Sequence, residues 1–308
     1  MINSMKVKSG DTILLIATAR SVTPLELQPF VNWAQTRGLR IEFAPNLFEI
    51  DNQFAGNDEQ RAQDLLWALQ HPTATAVFCA RGGYGTIRTI KFLEEKLQFQ
   101  ETTIAALMEN QWTRKLFVGF SDVTVLHAWL NANNWISLHG PVAVQWARED
   151  FIQTREALEY ALFEGKVFID TKGLEVLNPS PFTANLVGGN LSLIYSVLST
   201  PYRVEWENAV LLIEDLDEYL YHVDRMMQSL ESADLFSSAK AIIVGGMSEM
   251  KDNAVPFGEN AVDIIRKIAS KHQIPVIFGV SVGHLSTNYS VFLGTSITFD
   301  GRFLIQNL

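Results

Sequence analysis

The chain carries one serine whose hydroxyl could act as a nucleophile. Ser121 lies in the segment GFSDV (residues 119–123), between an apolar run and a helix-like segment that begins near Thr124. A sharp strand-to-helix turn of this kind exposes Oγ and points the next backbone N–H groups at incoming negative charge. The second glycine of the hydrolase motif G-x-S-x-G is absent, because Val123 stands there. The alternative is that Ser121 or Asp122 only caps the helix.

An acid and a histidine follow the serine along the chain. Glu214 comes directly after the apolar run of residues 209–213, and His284 follows another strand-like segment. A carboxylate in such a place can orient an imidazole that activates a serine, and the order serine, acid, histidine is that of α/β-hydrolases. Two alternatives stay open: the acid only begins a helix, or the histidine only hydrogen-bonds the fold. His139 and His222 are weaker candidates for the base.

Two glycine segments could present backbone N–H groups to a ligand. The segment RGGYG (residues 81–85) is interpreted as an anion cradle, an oxyanion hole facing the serine, or a plain tight turn. The segment GGN, which ends at Asn190, is interpreted as a glycine turn that opens a helix, and it either presents the Asn190 amide to a ligand or only connects two elements. The chain has no complete nucleotide-binding motif and no histidine, cysteine or acid cluster with metal-ligand spacing. The sequence therefore predicts neither a cofactor nor a metal.

Alternating helix and strand signals in the first half indicate how these residues are positioned. Strand-like runs at residues 12–17, 41–43, 75–79 and 116–119 are separated by helix-like segments, two of which begin with the caps Thr23-Pro24 and Asn57. This alternation predicts a doubly wound parallel sheet, with active groups beyond the carboxyl ends of its strands. The second half mixes strands and helices less regularly, and residues 291–305 predict a hairpin that turns at Asp300-Gly301.

The composition of the chain bears on its partners, its cysteine and its location. The 308 residues carry a net charge of −10, with no basic surplus or basic run, which argues against nucleic acid and membrane surfaces as partners. The single cysteine, Cys79, lies in an apolar run and is expected to be a buried small hydrophobe. No signal peptide or membrane-spanning segment is recognisable, so a cytoplasmic location is expected.

Taken together, the motifs resemble those of the LD-carboxypeptidase family of serine peptidases. The resemblance spans nearly the whole chain, and its motifs are GDTI (10–13), FAGN (54–57) with Arg61, RGGYG (81–85), GFSD (119–122), HGP (139–141), GGNL (188–191), ED (214–215), DR (224–225) and GH (283–284). Departures occur at residues 18–20, where Thr18-Ala19-Arg20 replaces the usual Ala-Pro, and at residues 285–288 and 293–294, which lack the proline that many relatives carry. These departures bear on substrate preference.

The resemblance implies roles for the catalytic residues. Ser121 would be the nucleophile, His284 the base and Glu214 the residue that orients it. The oxyanion hole would come from backbone N–H groups near Gly83 and Asp122. For binding a peptide with a free carboxylate, the candidates are Asn190, Arg225 and Tyr84.

The resemblance also implies an architecture and a substrate. The fold would be α/β, with an N-terminal doubly wound parallel sheet like that of class I glutamine amidotransferases (residues 1–165), a linker (166–184) and a smaller C-terminal swivelling β/α domain (185–308). The protein would act as a homodimer on murein-derived peptides, cleaving the bond before a C-terminal D-residue. The alternatives are an immunity-type hydrolase of peptidyl-nucleotide amides, as in the microcin C self-immunity protein, and a non-catalytic two-domain ligand-binding protein.

Overall fold

The first sheet is formed mainly by the N-terminal half. A computed structural model describes residues 5–99 and 114–308. Five parallel strands and one antiparallel edge strand lie in the order β12-β5-β4-β3-β1-β2. The strands are β1 (Thr12–Ile16), β2 (Arg40–Phe43), β3 (Ala74–Cys79), β4 (Leu116–Gly119), β5 (Ser137–His139) and β12 (Val291–Leu293).

Helices connect these strands, and their starts follow the capping signals of the sequence. The caps Thr23 and Asn57 each form a capping box, with Glu26 and Gln60 respectively, so orphan backbone N–H groups are satisfied at both helix starts. The side chains of β1 and β3 are almost entirely buried, as expected for strands covered on both faces. The helices of this half are α1 (Pro24–Thr36), α2 (Asp58–Gln70), α3 (Thr86–Phe99), α4 (Thr124–Ala132) and α5 (Ile152–Glu159).

The second sheet has eight strands in the order β6-β14-β13-β8-β9-β10-β11-β7. Its centre, β8 to β11, is parallel, and antiparallel strands flank it on both sides. The strands are β6 (Lys166–Asp170), β7 (Val176–Leu177), β8 (Phe182–Asn190), β9 (Val210–Leu216), β10 (Ala241–Ser248), β11 (Val276–Phe278), β13 (Thr295–Phe299) and β14 (Phe303–Asn307). The helices are α6 (Leu191–Val197), α7 (Leu220–Ser232), α8 (Leu235–Ser238) and α9 (Ala261–Ala269).

The α/β class with two sheets is confirmed, but three local expectations are wrong. Residues 291–305 are not one hairpin: β13 and β14 pair around the expected turn, whereas β12 pairs antiparallel with β5 in the first sheet. The segment GGN is the end of strand β8 and not a turn, although a helix does begin directly after it, at Leu191. Glu214 lies inside β9 and does not begin a helix, since α7 starts only at Leu220. Residues 166–184 contain β6, β7 and the start of β8.

Candidate active site

Ser121 occupies the turn between β4 and α4. Strand β4 ends at Gly119, a single 3₁₀ turn (Ser121–Val123) follows, and α4 begins at Thr124. Ser121 has φ of 66°, in the left-handed region that costs a residue with a Cβ. The turn brings Val123 so close to Gly119 that a Cβ on Gly119 would lie 2.9 Å from Val123 Cγ1. The half-buried Ser121 is therefore held in a strained conformation at the end of a buried strand.

Glu214 and His284 form a hydrogen-bonded pair. His284 Nδ1 lies 2.7 Å from Glu214 Oε2, and the same oxygen accepts the backbone N–H of His284 at 3.1 Å. The Glu214 side chain is fully buried, whereas the His284 side chain is 14% exposed. The carboxylate thus fixes both the ring orientation and the backbone of His284, and Nε2 takes no part in this contact.

Gly283 allows this close approach. Its φ is 98°, and a Cβ there would lie 2.3 Å from Glu214 Oε2. Asn288 Oδ1 accepts the Gly283 N–H at 2.8 Å, which holds the turn that carries His284. The turn therefore requires a residue without a side chain.

A second histidine lies on the other side of the carboxylate. His139, at the end of β5, places Nε2 3.8 Å from Glu214 Oε1, which is too long for a hydrogen bond, and both groups are buried. Burial alone would raise the pKa of Glu214, but the contacts with His139 and His284 lower it to about 2. Glu214 is therefore ionised at neutral pH.

The glycine segment after β3 packs against the serine. A Cβ at Gly82 would lie 3.3 Å from Ser121 Cβ, and Gly83 has φ of 110°. The buried Asp122 carboxylate accepts the backbone N–H of Thr86 at 2.8 Å, which ties the serine turn to the start of α3. Burial raises the pKa of Asp122 to about 6, although the Thr86 hydrogen bonds oppose that change.

Ser121 and His284 line the same cleft, which has two adjoining arms. The acidic arm, of about 500 Å³, is also lined by Tyr84, Asn190 and Asp215. The second arm, of about 450 Å³, is lined by Arg81, Gly82, Phe120, Val142 and Gln145. Four residues line both arms and mark their junction: Arg20, Gly83, Ser121 and His284.

The three residues predicted to bind substrate lie in different environments. Tyr84 is 48% exposed and lines the acidic arm. Asn190 also lines it, but its amide nitrogen donates to Asp215 at 2.8 Å and its amide oxygen caps α6, so both ends are engaged. Arg225 is exposed on α7, lies over the Tyr221 ring and does not line the cleft.

Residues outside the expected set also belong to this region. Arg20 lines both arms; the sequence marked it only as a departure from the family pattern. The sequence did contain a signal for Arg20. It is a cationic residue shortly after strand β1, and β1 pairs parallel with β3, the strand that the glycine segment follows. Cys79 is fully buried at the end of β3, and burial raises the pKa of its thiol to about 12, so it behaves as a small hydrophobe, as expected.

Residues 5–99 and 114–308 contain no group of three or more histidine, cysteine or acidic side chains arranged to hold a metal ion. Within the same ranges, no helix combines the length and apolar character needed to span a bilayer.

The sequence was compared with family models. The model of the LD-carboxypeptidase N-terminal domain matches residues 13–140, and that of the C-terminal domain matches residues 183–299. The chain belongs to the LD-carboxypeptidase family. Among its curated relatives, the probable murein peptide carboxypeptidase of Bacillus subtilis is 29% identical to this chain, over 96% of this chain and 90% of the relative. The murein tetrapeptide carboxypeptidase of Pseudomonas aeruginosa is 24% identical, over 95% and 94%.

Solved structures share the fold over almost the full length. The muramoyltetrapeptide carboxypeptidase from Oxalobacter formigenes superposes with a TM-score of 0.82 at 24% identity, covering 96% of this chain and 99% of that one. The structure of MccF in complex with glutamyl sulfamoyl guanosine gives 0.83 at 19% identity, covering 98% and 97%. At this level of identity the likeness establishes the fold, including its two domains.

Proposed function

We propose that this protein is a serine carboxypeptidase that hydrolyses the L,D-peptide bond before the C-terminal D-residue of murein-derived peptides, as in the release of D-alanine from the tetrapeptide. The observation that carries the proposal is the 2.7 Å contact between His284 and the buried Glu214, in a cleft that Ser121 also lines. The names of the family and of its murein-peptide relatives support the choice of substrate.

In the proposed reaction, one proton passes from Ser121 to His284. His284 Nε2 accepts the proton of Ser121 Oγ while Oγ attacks the scissile carbonyl carbon. The oxyanion is stabilised by backbone N–H groups near Gly83 and Asp122. His284 then gives the proton to the departing amine of the D-residue, and a water molecule, activated by the same imidazole, hydrolyses the acyl-enzyme.

In this reaction, Glu214 stabilises the positive charge that forms on His284. The imidazolium that forms after proton transfer carries a positive charge beside a buried carboxylate, and the interaction is strong because little water screens it. With a pKa of about 2, Glu214 remains ionised and does not take the proton itself. Its role is to hold the Nδ1–H tautomer of His284 and to stabilise the cation.

The proposal extends to assembly and location. We include a homodimer, which rests on the resemblance of the sequence motifs to the family, and the cytoplasmic location expected from the sequence. Light scattering would test the dimer, since the chain mass is 34.6 kDa and a dimer has twice that mass.

A substrate panel tests the proposed reaction. Mass spectrometry would follow L-Ala-γ-D-Glu-meso-diaminopimelyl-D-Ala, the same peptide with a terminal L-Ala, and a glutamyl sulfamoyl nucleoside. Loss of one alanine from the D-Ala peptide alone is the expected result. Cleavage of the nucleoside conjugate alone would instead support the immunity-type amide hydrolase, for which the exposed Tyr84 ring at the cleft could stack a base. Failure to cleave any of the three would contradict both readings.

A further inference from the structure

Arg20 lies at the junction of the two cleft arms, next to the nucleophile. Its backbone pairs with Phe54 in an isolated bridge, and the flanking Ala19 C=O and Ser21 N–H are hydrogen-bonded to the same loop at 3.0 Å each. The side chain runs over the glycine segment, because a Cβ at Gly83 would lie 2.5 Å from Arg20 Cδ and 3.2 Å from Nε. The arginine is therefore anchored at its backbone and directed across the candidate oxyanion loop.

The guanidinium of Arg20 is electrostatically unmatched within the described part of the chain. It forms no ion pair or side-chain hydrogen bond with any residue of 5–99 or 114–308. The neighbouring Arg81 differs, since it pairs with Glu26 and donates to Ser21 C=O at 3.0 Å. A cation left without a counter-ion beside a reactive serine is available for an anionic ligand.

The acids of the cleft are already engaged by other groups. Asp217 Oδ1 lies 2.6 Å from Lys251 Nζ, and Glu218 Oε2 lies 2.6 Å from His222 Nδ1. Asp215 accepts the Asn190 amide at 2.8 Å and the Ser192 N–H at 2.9 Å. None of these carboxylates forms an ion pair with Arg20, and the Arg20 residue lines both arms of the cleft.

We propose that Arg20 binds the C-terminal carboxylate of the peptide substrate and so restricts cleavage to the last residue. A planar guanidinium matches a carboxylate with two parallel N–H···O bonds, which gives both affinity and orientation. The position fits this role because Arg20 borders both arms where Ser121 and Gly83 meet. This inference rests on the proposed function, and it assigns the carboxylate to a residue other than Asn190 or Arg225.

The test compares a free acid with its amide. Kinetics would be measured on the D-Ala-terminated tetrapeptide and on the same peptide with a C-terminal carboxamide, using wild type, Arg20→Gln, Arg20→Lys and Arg40→Gln. We expect wild type to prefer the free acid and Arg20→Gln to lower its kcat/KM by about 10- to 100-fold, mainly through KM. The amide rate should stay at its wild-type level in Arg20→Gln, and Arg20→Lys should recover part of the preference.

Arg40→Gln is the matched control. Arg40 is also exposed, but it begins β2 and therefore lies at the amino end of the first sheet, opposite the cleft. It should leave both substrates unaffected. Equal loss on acid and amide in Arg20→Gln, or an unchanged acid preference, would overturn the role of Arg20 while leaving the proposed function standing. Absence of cleavage of either peptide by wild type would overturn both.

Discussion

At the scale of single residues, Glu214 is the group whose environment most favours catalysis. It is fully buried, it is ionised, and one of its oxygens accepts two hydrogen bonds from His284, through the ring and the backbone. A buried carboxylate is costly unless it is paired, and here its partner is the imidazole that must become positive during the proposed reaction. The free-energy cost of burying the Glu214 carboxylate is thus offset when His284 becomes positively charged.

Glu214→Gln should preserve the shape of the site and lose most of its activity. The amide can donate where the carboxylate accepts, so it favours the wrong tautomer of His284 and cannot stabilise the imidazolium. We expect kcat for D-Ala release to fall by about 10³- to 10⁴-fold, with KM little changed. Steady-state kinetics on the folded variant checks this, and a kcat within a few-fold of wild type would contradict the role of Glu214.

Asp122 gives a prediction about pH. Its pKa of about 6 in the folded protein exceeds the ordinary value of 3.8, so the folded state binds this proton more tightly than the unfolded state. The resulting stability is fully present below about pH 4 and is lost as the pH rises through about 6. Asp122→Asn, which cannot ionise, should therefore gain stability relative to wild type between pH 4.5 and 7.5, by up to about 3 kcal/mol.

Urea unfolding of both proteins at the two pH values measures this difference. The comparison isolates Asp122 because the other titrating groups are common to both proteins. A gap in unfolding free energy that does not change with pH would show that the carboxyl titrates normally in the folded state.

At the scale of elements, short turns after parallel strands carry the groups proposed to react. Ser121 follows β4, and the turn after β11 carries His284. Strand β8 extends to Asn190, which is in register with Glu214 on β9. The contact between the two sheets is also close here, since Asn190 N–H donates to Thr124 Oγ1 at 3.0 Å and a Cβ at Gly189 would lie 2.7 Å from that oxygen.

Gly283→Ala should impair the site without altering any group that reacts. An added Cβ would lie 2.3 Å from Glu214 Oε2, so the carboxylate or the His284 turn must move. We expect kcat to fall by at least about 10²-fold, the effect of a misplacement of about 1 Å. The control is Gly301→Ala, because Gly301 has a similar φ of 106° but nothing within 4 Å of the added atom.

Gly301→Ala introduces the same kind of backbone strain, so it should lower stability and keep the wild-type kcat. The rate of D-Ala release and the urea midpoint of both variants distinguish the two effects. Similar kcat values in Gly283→Ala and Gly301→Ala would refute the argument that the turn positions Glu214.

At the scale of the whole molecule, the two sheets share segments of chain. Strand β12 leaves the C-terminal half and pairs with β5, where Val291 is in register with His139. Just before it, Asn288 N–H donates to Thr154 Oγ1 at 2.9 Å. The site residues from the two halves therefore meet across an interface that a strand crosses.

This connection predicts that the two halves unfold together. Tryptophan fluorescence reports mainly on the first half, because six of the seven tryptophans lie there and only Trp206 lies in the second, and it should change with urea at the same midpoint as far-UV circular dichroism. Activity should be lost over the same range. Two separate transitions would mean that β12 does not couple the halves.

The regular half of the fold was predictable from sequence, because its strands are uniformly apolar and its helices begin with capping boxes such as Asn57–Gln60. Strand β12 was not, since three apolar residues just before a hairpin give no sign of the sheet they join. The segment GGN was misread because glycines in a strand resemble a turn; they are required where a Cβ at Gly188 would lie 2.2 Å from Leu212 O.

For the site, the residue types and chain order were enough to nominate Ser121, Glu214 and His284. The position of His139 next to Glu214 depends on how two sheets meet, and sequence spacing carries no such information. The same holds for Arg20, whose relevance depends on the cleft formed between the glycine segment and the C-terminal half.

The most direct test of the account is the rate of D-alanine release from the murein tetrapeptide by wild type and by Ser121→Ala. Circular dichroism of both proteins would establish that they are equally folded. The nucleophilic role proposed for Ser121 predicts release by wild type and a loss of at least about 10³-fold in the variant, because removal of the nucleophile leaves only binding and the oxyanion donors. A folded Ser121→Ala protein that releases D-alanine at the wild-type rate would contradict it.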